Sequence, residues 1–200
     1  MKVKSILLSI LLICGFAYAI GEKNIQNDTV QKIEEVTKTL NSKSLSLEDK
    51  SKRVFELFDG FFDFDRMSSL CLGKAQWSAL SEQQQHQFSE KFIQKLKHSF
   101  VEKLSLYTDE KIIVKDVAKP SKNRIQLPIV LVDGAGKTYD ILFKFYDVSP
   151  DEWLIYDVDV LGVSIVQNYR SQFDGVLQKS SFEELMQKID SLQMDDNITK

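Results

Sequence analysis

Apolar residues recur at helical spacing through the first half of the chain and at strand spacing through much of the second. Asn24 to Leu40 carries Ile25, Val30, Ile33, Val36 and Leu40 as one stripe with charge elsewhere, which predicts a helix. Asn41 to Ser46 is a polar break. Ser46-Leu47-Glu48-Asp49 then resembles a capping box that opens a second helix, with Val54, Phe55, Leu57 and Phe58 apolar and Gly60 as its stop. The aromatic-dense run from Phe61 to Trp77 predicts a short helix over Asp65 to Leu72. Another capping box, Ser81-Glu82-Gln83-Gln84, opens a long helix reaching about Tyr107. Along it Phe88, Phe92, Leu96, Phe100 and Leu104 repeat every four residues, flanked by Ile93, Val101 and Tyr107, so its apolar face is wide.

The pattern then shifts to alternation. Four strands are expected, over Lys111 to Val117, Asn123 to Val132, Lys137 to Asp147 and Glu152 to Val160. Pro128 favours an edge or a bulge. Asp133-Gly134-Ala135-Gly136 reads as a hairpin turn, and Ser149-Pro150-Asp151 as the next one. In the third strand Tyr139, Ile141, Phe143 and Phe145 face one way, with Asp140, Lys144 and Asp147 among the residues on the other. Short turns between consecutive strands make an antiparallel meander with one face free for helices.

The stretch from Trp153 to Phe173 holds the plan together. It starts as a strand, breaks at Gly162, and resumes as a helix with Val163, Val166, Tyr169, Arg170 and Phe173 three or four apart. Such a corner closes one end of a sheet and lays a helix back across it. Its apolar surface exceeds what the corner alone needs, which points to an apolar ligand. Ser181-Phe182-Glu183-Glu184 opens a last helix with Leu185, Met186 and Ile189 apolar, and 193–200 reads as a frayed tail.

Charge and composition narrow the function classes. Met1 to Ala19 has the form of a secretory signal peptide, with Lys2 and Lys4 before an apolar run from Ile6 to Phe16 and an Ala17-Tyr18-Ala19 cleavage site. That run is too short for a spanning helix, and Ile13 before Cys14 is too large for a lipobox. An exported, soluble protein starting near Ile20 is expected, with 20–192 as a single domain. Removing Lys2 and Lys4 takes the formal net charge from -3 to -5, which argues against a nucleic-acid partner. Without Cys14 the mature chain has Cys71 alone, so no internal disulfide can form, and a buried apolar role suits that thiol. Export then fits a periplasm better than a harsher extracellular setting.

Candidate chemistry is sparse. Asp63 and Asp65 suit capping of the short helix and pairing with Arg66, because a hard-cation site needs more oxygen ligands nearby. His86 and His98 are twelve apart on the long helix, the wrong spacing for a shared metal, and both are expected to be exposed. Asp157 and Asp159 are placed on one strand face with Trp153 and Ile155, where an acid/base pair is conceivable, but no His, Cys or Lys partner is near in sequence. No nucleophile elbow, zinc-protease helix or phosphate loop is present.

Several of these segments together resemble a known family. Phe62-Asp63-Phe64-Asp65-Arg66-Met67, Leu72-Gly73-Lys74 with Trp77, the Ser81-Glu82-Gln83 helix start with Phe88 and Phe92, and above all the run from Gly162 to Phe173 resemble MlaC. That family is the periplasmic phospholipid-binding component of the Mla (maintenance of lipid asymmetry) pathway, also called the toluene-tolerance auxiliary component. The resemblance covers nearly all the mature chain, although the helices before Phe61 match only in pattern. It implies an α+β fold with a nuclear-transport-factor-2-like antiparallel sheet wrapped by helices. It implies a phospholipid whose two acyl chains enter between sheet and helices, leaving an exposed and weakly discriminated headgroup. It also implies a shuttle between an outer-membrane lipoprotein–porin complex and an inner-membrane ABC transporter with MCE domains, and a monomer is expected. No cofactor, metal or catalytic residue is implied, only phospholipid as cargo.

The expected lining combines both lines of reasoning. It comprises Phe64, Met67, Phe92, Leu96 and Phe100 from the helical part. The strands contribute Leu127, Ile129, Ile141, Phe143, Phe145, Trp153 and Ile155, and the corner contributes Val163, Ile165, Val166 and Tyr169. Two other readings remain: a nuclear-transport-factor-2-like periplasmic enzyme using Asp157 and Asp159, and an adaptor domain with a solid core.

Overall fold

The structure, a computed structural model, describes residues 20–104 and 110–192. The expected leader, the continuation of the long helix to Tyr107, the side chain of Leu104 and the expected tail at 193–200 lie outside the described residues. The helices are α1 (Ile25–Leu40), α2 (Leu47–Phe58), α3 (Phe64–Leu72), α4 (Lys74–Ala79), α5 (Glu82–Leu104), α6 (Ile165–Leu177) and α7 (Phe182–Lys188). The strands are β1 (Lys111–Val114), β2 (Ala118–Ser121), β3 (Arg124–Val132), β4 (Thr138–Ser149), β5 (Glu152–Val160) and β6 (Val163–Ser164). The fold is α+β, built on one antiparallel sheet in the order β1-β3-β4-β5-β6, with β2 also on β3.

Short polar side chains start the helices where the sequence places them. Ser46 Oγ accepts from the Asp49 amide at 3.1 Å, and Ser181 Oγ accepts from the Glu184 amide at 3.3 Å. At α5 the box is reciprocal: Ser81 Oγ accepts from the Gln84 amide, and Gln84 Oε1 accepts from the Ser81 amide at 3.0 Å. Helix α2 ends at Phe58 and passes into a 3-10 turn over Asp59–Phe61, which holds the expected stop, Gly60.

Six strands form where four were expected. β2 is short, fully exposed, contains Pro120 and is irregular in its pairing, so it has none of the alternation that marks a strand. β6 is two residues long and pairs Val163 with Val160 and Ser164 with Asp159. Val163 is therefore in the sheet and not on the helix. Leu161 (φ 52°) and Gly162 (φ 81°) make the turn between them, two consecutive positive φ values as in a type I′ hairpin. Arg170, placed on the apolar stripe by spacing, is exposed. α4 was not anticipated; it starts at Gly73 (φ 82°), which sets it off from α3.

Two apolar clusters make most of the interior. One is helical: Met67, Cys71 and Leu72 of α3, Phe88 and Phe92 of α5, Val166, Tyr169 and Phe173 of α6, and Leu185 of α7 with Ile189 after it. The other lies on one face of the sheet: Ile125, Leu127, Phe145, Trp153, Ile155 and Val158, covered by Ile20, Ile25 and Phe61. Phe62 and Ile165 pack against both. Along β5, Ile20 bridges to Trp153, Phe62 bridges to Ile155, and β6 follows, so three separate segments lie beside that strand. The Cys71 thiol is fully buried, and burial first, then nearby Asp157, holds its pKa well above the ordinary value.

Candidate functional site

The inner face of the sheet follows from its register. Leu127 lies opposite Phe143, Ile129 opposite Ile141 and Ile125 opposite Phe145, and side chains of directly paired residues share a face. Ile141 and Phe143 are only half-buried there, whereas Phe145 is fully buried. Helix α5 presents Phe92 and Leu96 to the helical cluster, and Phe100 lies near its end with 40 % of its surface exposed.

A run of aromatic rings fills the seam between these walls. Phe55 of α2 meets Phe100 edge-on at 5.2 Å between centroids. Phe62 stacks on Phe64 at 5.3 Å, and both Phe58 and Phe62 meet Phe143 edge-on, at 6.1 and 6.2 Å. The Lys97 ammonium lies 5.2 Å from the Phe55 ring and 5.6 Å from the Phe64 ring, which joins the two groups of rings. Phe55, Phe58, Phe62, Phe64 and Phe143 are all half-buried.

The residues expected to line a pocket divide into three groups. Phe64, Leu96, Phe100, Ile141, Phe143 and Ile165 lie at or beside the seam. Leu127, Ile129, Phe145 and Ile155 form the buried floor on the sheet, with Trp153 further along β5, where Lys119 covers its ring at 5.6 Å. Met67, Phe92, Val166 and Tyr169 are core of the helical cluster. Val163 lies at the β6 end, half-buried. Phe55, Phe58 and Phe62 also belong to the seam and were not among the expected residues; the density of phenylalanines between 55 and 64 was their only signal in the sequence.

The carboxylate pair lies elsewhere than expected. Ile155 pairs with Phe145 but Asp157 pairs with Lys144, so Tyr156 is an extra residue in β5. That bulge reverses parity, which puts Asp157 and Asp159 on the face opposite Trp153 and Ile155. A lysine partner comes from the adjacent strand. Lys144 Nζ is 3.0 Å from Asp157 Oδ2 and 2.5 Å from Asp159 Oδ1. Burial opposes the lysine's charge, but Asp159 and Asp157 outweigh it and raise its pKa. Asp157, buried, also accepts from Ser164 Oγ at 2.7 Å and from the Val166 amide at 3.1 Å. It thereby fastens the start of α6 to β5, a structural use of the charge.

Asp63 caps α3 as expected, accepting from the Arg66 amide at 2.8 Å. Its other oxygen accepts from the Tyr146 hydroxyl, and the Arg66 guanidinium lies over the Tyr146 ring at 5.7 Å rather than on a carboxylate. Burial, then the Asp63 carboxylate, raises the Tyr146 pKa. His86 is exposed and lies 3.4 Å from Glu90, and His98 is exposed as well. Among the described residues no group of three or more His, Cys, Asp or Glu is placed to hold a metal ion. No helix among them is long and apolar enough to cross a membrane. Among the described residues a shallow groove of about 490 Å³ lies between α1 and α2, bounded by Glu35, Lys38, Arg53 and Glu56.

A family model described as MlaC protein matches residues 30–191. The chain belongs to the MlaC family. The match takes in the Phe62–Trp77 segment, the α5 start and the Gly162 corner together. It also includes most of α1 and all of α2, which the sequence motifs had left as a match in pattern only. No curated protein matches the chain. Among solved structures, the phospholipid-binding protein from Ralstonia solanacearum, determined in complex with a phospholipid, superposes with a TM-score of 0.70. The two share 20% sequence identity, and the alignment covers 88% of this chain and 98% of that one. At that identity the likeness is one of fold, and the MlaC-type arrangement of helices on an antiparallel sheet is common to both.

Proposed function

We propose that this MlaC-family chain is a periplasmic phospholipid carrier that takes both acyl chains of one lipid into the seam between α5 and the inner face of the sheet. One observation carries the reading: the half-buried rings of Phe58, Phe62, Phe64 and Phe143 meet one another where two separate cores adjoin, and Lys97 joins them to Phe55 and the exposed Phe100 beyond. The phospholipid bound by the Ralstonia protein of the same fold supports the ligand class.

The energetics define the task. Burial is worth about 0.8 kcal/mol per CH₂, so two chains with ~30 methylenes exchange on the order of 20 kcal/mol with their surroundings. A free lipid cannot cross water at a useful rate against that cost. A carrier must give the chains an apolar environment nearly as complete as the membrane's. The family membership extends the proposal to a place between an outer-membrane lipoprotein–porin complex and an inner-membrane ABC transporter with MCE domains. Asp157 and Asp159 are engaged with Lys144, Ser164 and the α6 amide, which favours carriage over an acid/base reaction at that pair.

The test is native mass spectrometry of protein purified from a bacterial periplasm, with uptake from liposomes by the stripped protein as a second arm. One diacyl phospholipid per chain is expected in both. Folded protein that carries no lipid and takes none up would overturn the reading.

A further inference from the structure

A pair of opposite charges lies beside the seam, against its rings. Lys97 Nζ lies 3.1 Å from Asp59 Oδ1 and 3.3 Å from Oδ2, with both side chains partly open to solvent. The same ammonium covers the Phe55 and Phe64 rings, and Phe55 contacts the exposed Phe100. The pair therefore sits where the apolar seam meets water. Asp59 belongs to the turn after α2 and Lys97 to α5, so the contact spans the two elements whose rings close the seam.

We infer that Lys97 and Asp59 form a headgroup subsite that favours zwitterionic phospholipids over anionic ones. This rests on the carrier reading and adds a preference to it. With the acyl chains in the seam, the glycerophosphate lies at the boundary between rings and water. The boundary offers one cation for the phosphate and one anion 3.1 Å away. A phosphoethanolamine head brings a phosphate and an ammonium of its own, so it replaces the internal ion pair with two pairs of the same kind. A phosphoglycerol head brings only the negative charge. It gains Lys97 but leaves Asp59 without its cation and close to the phosphate, a like-charge contact that a selective site uses against the wrong ligand. Partly exposed pairs discriminate modestly, so a preference of roughly threefold is the expected size.

The experiment loads stripped protein from vesicles of equal parts phosphatidylethanolamine and phosphatidylglycerol with identical acyl chains, and reads the bound lipids by native mass spectrometry. Wild type should carry the ethanolamine lipid in about threefold excess. Asp59→Asn should bring the ratio to about one. The double exchange Asp59→Lys with Lys97→Asp restores a pair of opposite charges and should restore the excess. Free phosphoethanolamine, which has the head without the tails, should not displace bound lipid at millimolar concentration. An equal wild-type ratio, or a ratio unmoved by Asp59→Asn in protein of unchanged melting temperature, overturns the subsite while one lipid per chain still upholds the carrier. If no lipid loads at all, the carrier reading falls and the subsite with it.

Discussion

At the scale of single residues, Lys144 is the group with most at stake. It holds two carboxylates, one of them the buried Asp157 that fastens α6 to β5. Removing one partner of a fully buried pair costs about 3–5 kcal/mol, and the partial exposure of Lys144 reduces this. Lys144→Met should therefore lower stability by about 2 kcal/mol at pH 7, read from denaturant unfolding. The pH dependence has a defined sign. The folded pKa of Lys144 is raised above its unfolded value, so its contribution is complete below pH ~10.4 and is lost as pH rises through the folded pKa. The gap between wild type and Lys144→Met should be constant from pH 7 to about 9.5 and should narrow in more alkaline solution. A gap that widens there would show that the ion pair is not its source. Gly162 is the second case. Its φ of 81° is unfavourable for a side chain, and a Cβ there would meet open space. Gly162→Ala should cost about 1–2 kcal/mol through the backbone alone, and Gly162→Asn, which tolerates that region better, should recover part of it.

At the scale of elements, the seam can be tested by overfilling it. A solid core resists an enlarged side chain at a cost of about 1–3 kcal/mol, whereas a space meant for acyl chains admits the side chain and excludes the lipid. Ile141→Trp and Val163→Trp should each cut the bound lipid-to-protein ratio by about half or more while keeping most of the lipid-free melting temperature. Gln126→Trp, across from Lys144 on the outer face, should leave the ratio unchanged. If the first two unfold the protein or keep full lipid, the acyl site is elsewhere. Helices α1, α2, α5, α6 and α7 were legible from their apolar stripes, with capping boxes marking the starts of α2, α5 and α7, α3 was legible from the acidic residues at its start, and β3 and β4 from their clean alternation. β2, β6 and α4 were not, since none carries its own periodic apolar pattern. The inner face at Ile141 and Phe143 followed from parity, but the Tyr156 bulge does not show in a run of alternating residues. For that reason Asp157 and Asp159 were assigned to the wrong side and their lysine was missed. The seam escaped for a related reason: spacing identifies a helix face, but not which rings from different elements meet.

At the scale of the whole molecule, the chain joins a helical cluster to a sheet cluster through Phe62 and Ile165. Ile20 is buried and exchanges hydrogen bonds with Trp153, 2.9 Å from the Trp153 amide to the Ile20 carbonyl. The Ala17-Tyr18-Ala19 site and the large Ile13 before Cys14 predict an intact mass corresponding to a start at or near Ile20, with no diacylglyceryl adduct at Cys14; a lipidated mass would place the protein among anchored ones. The contacts along β5 also bear on how the protein reaches its native state. Ile20 precedes Trp153 by 133 positions, and Phe62 precedes Ile155 by 93. Bringing such distant segments together carries an entropic cost that must be met before any contact repays it, so these closures come late and slowly. A polypeptide threaded head-first through a translocation channel cannot make either closure until β5 has emerged. For the exported carrier proposed above, neither N-terminal segment can dock along β5 until that strand too has crossed the membrane.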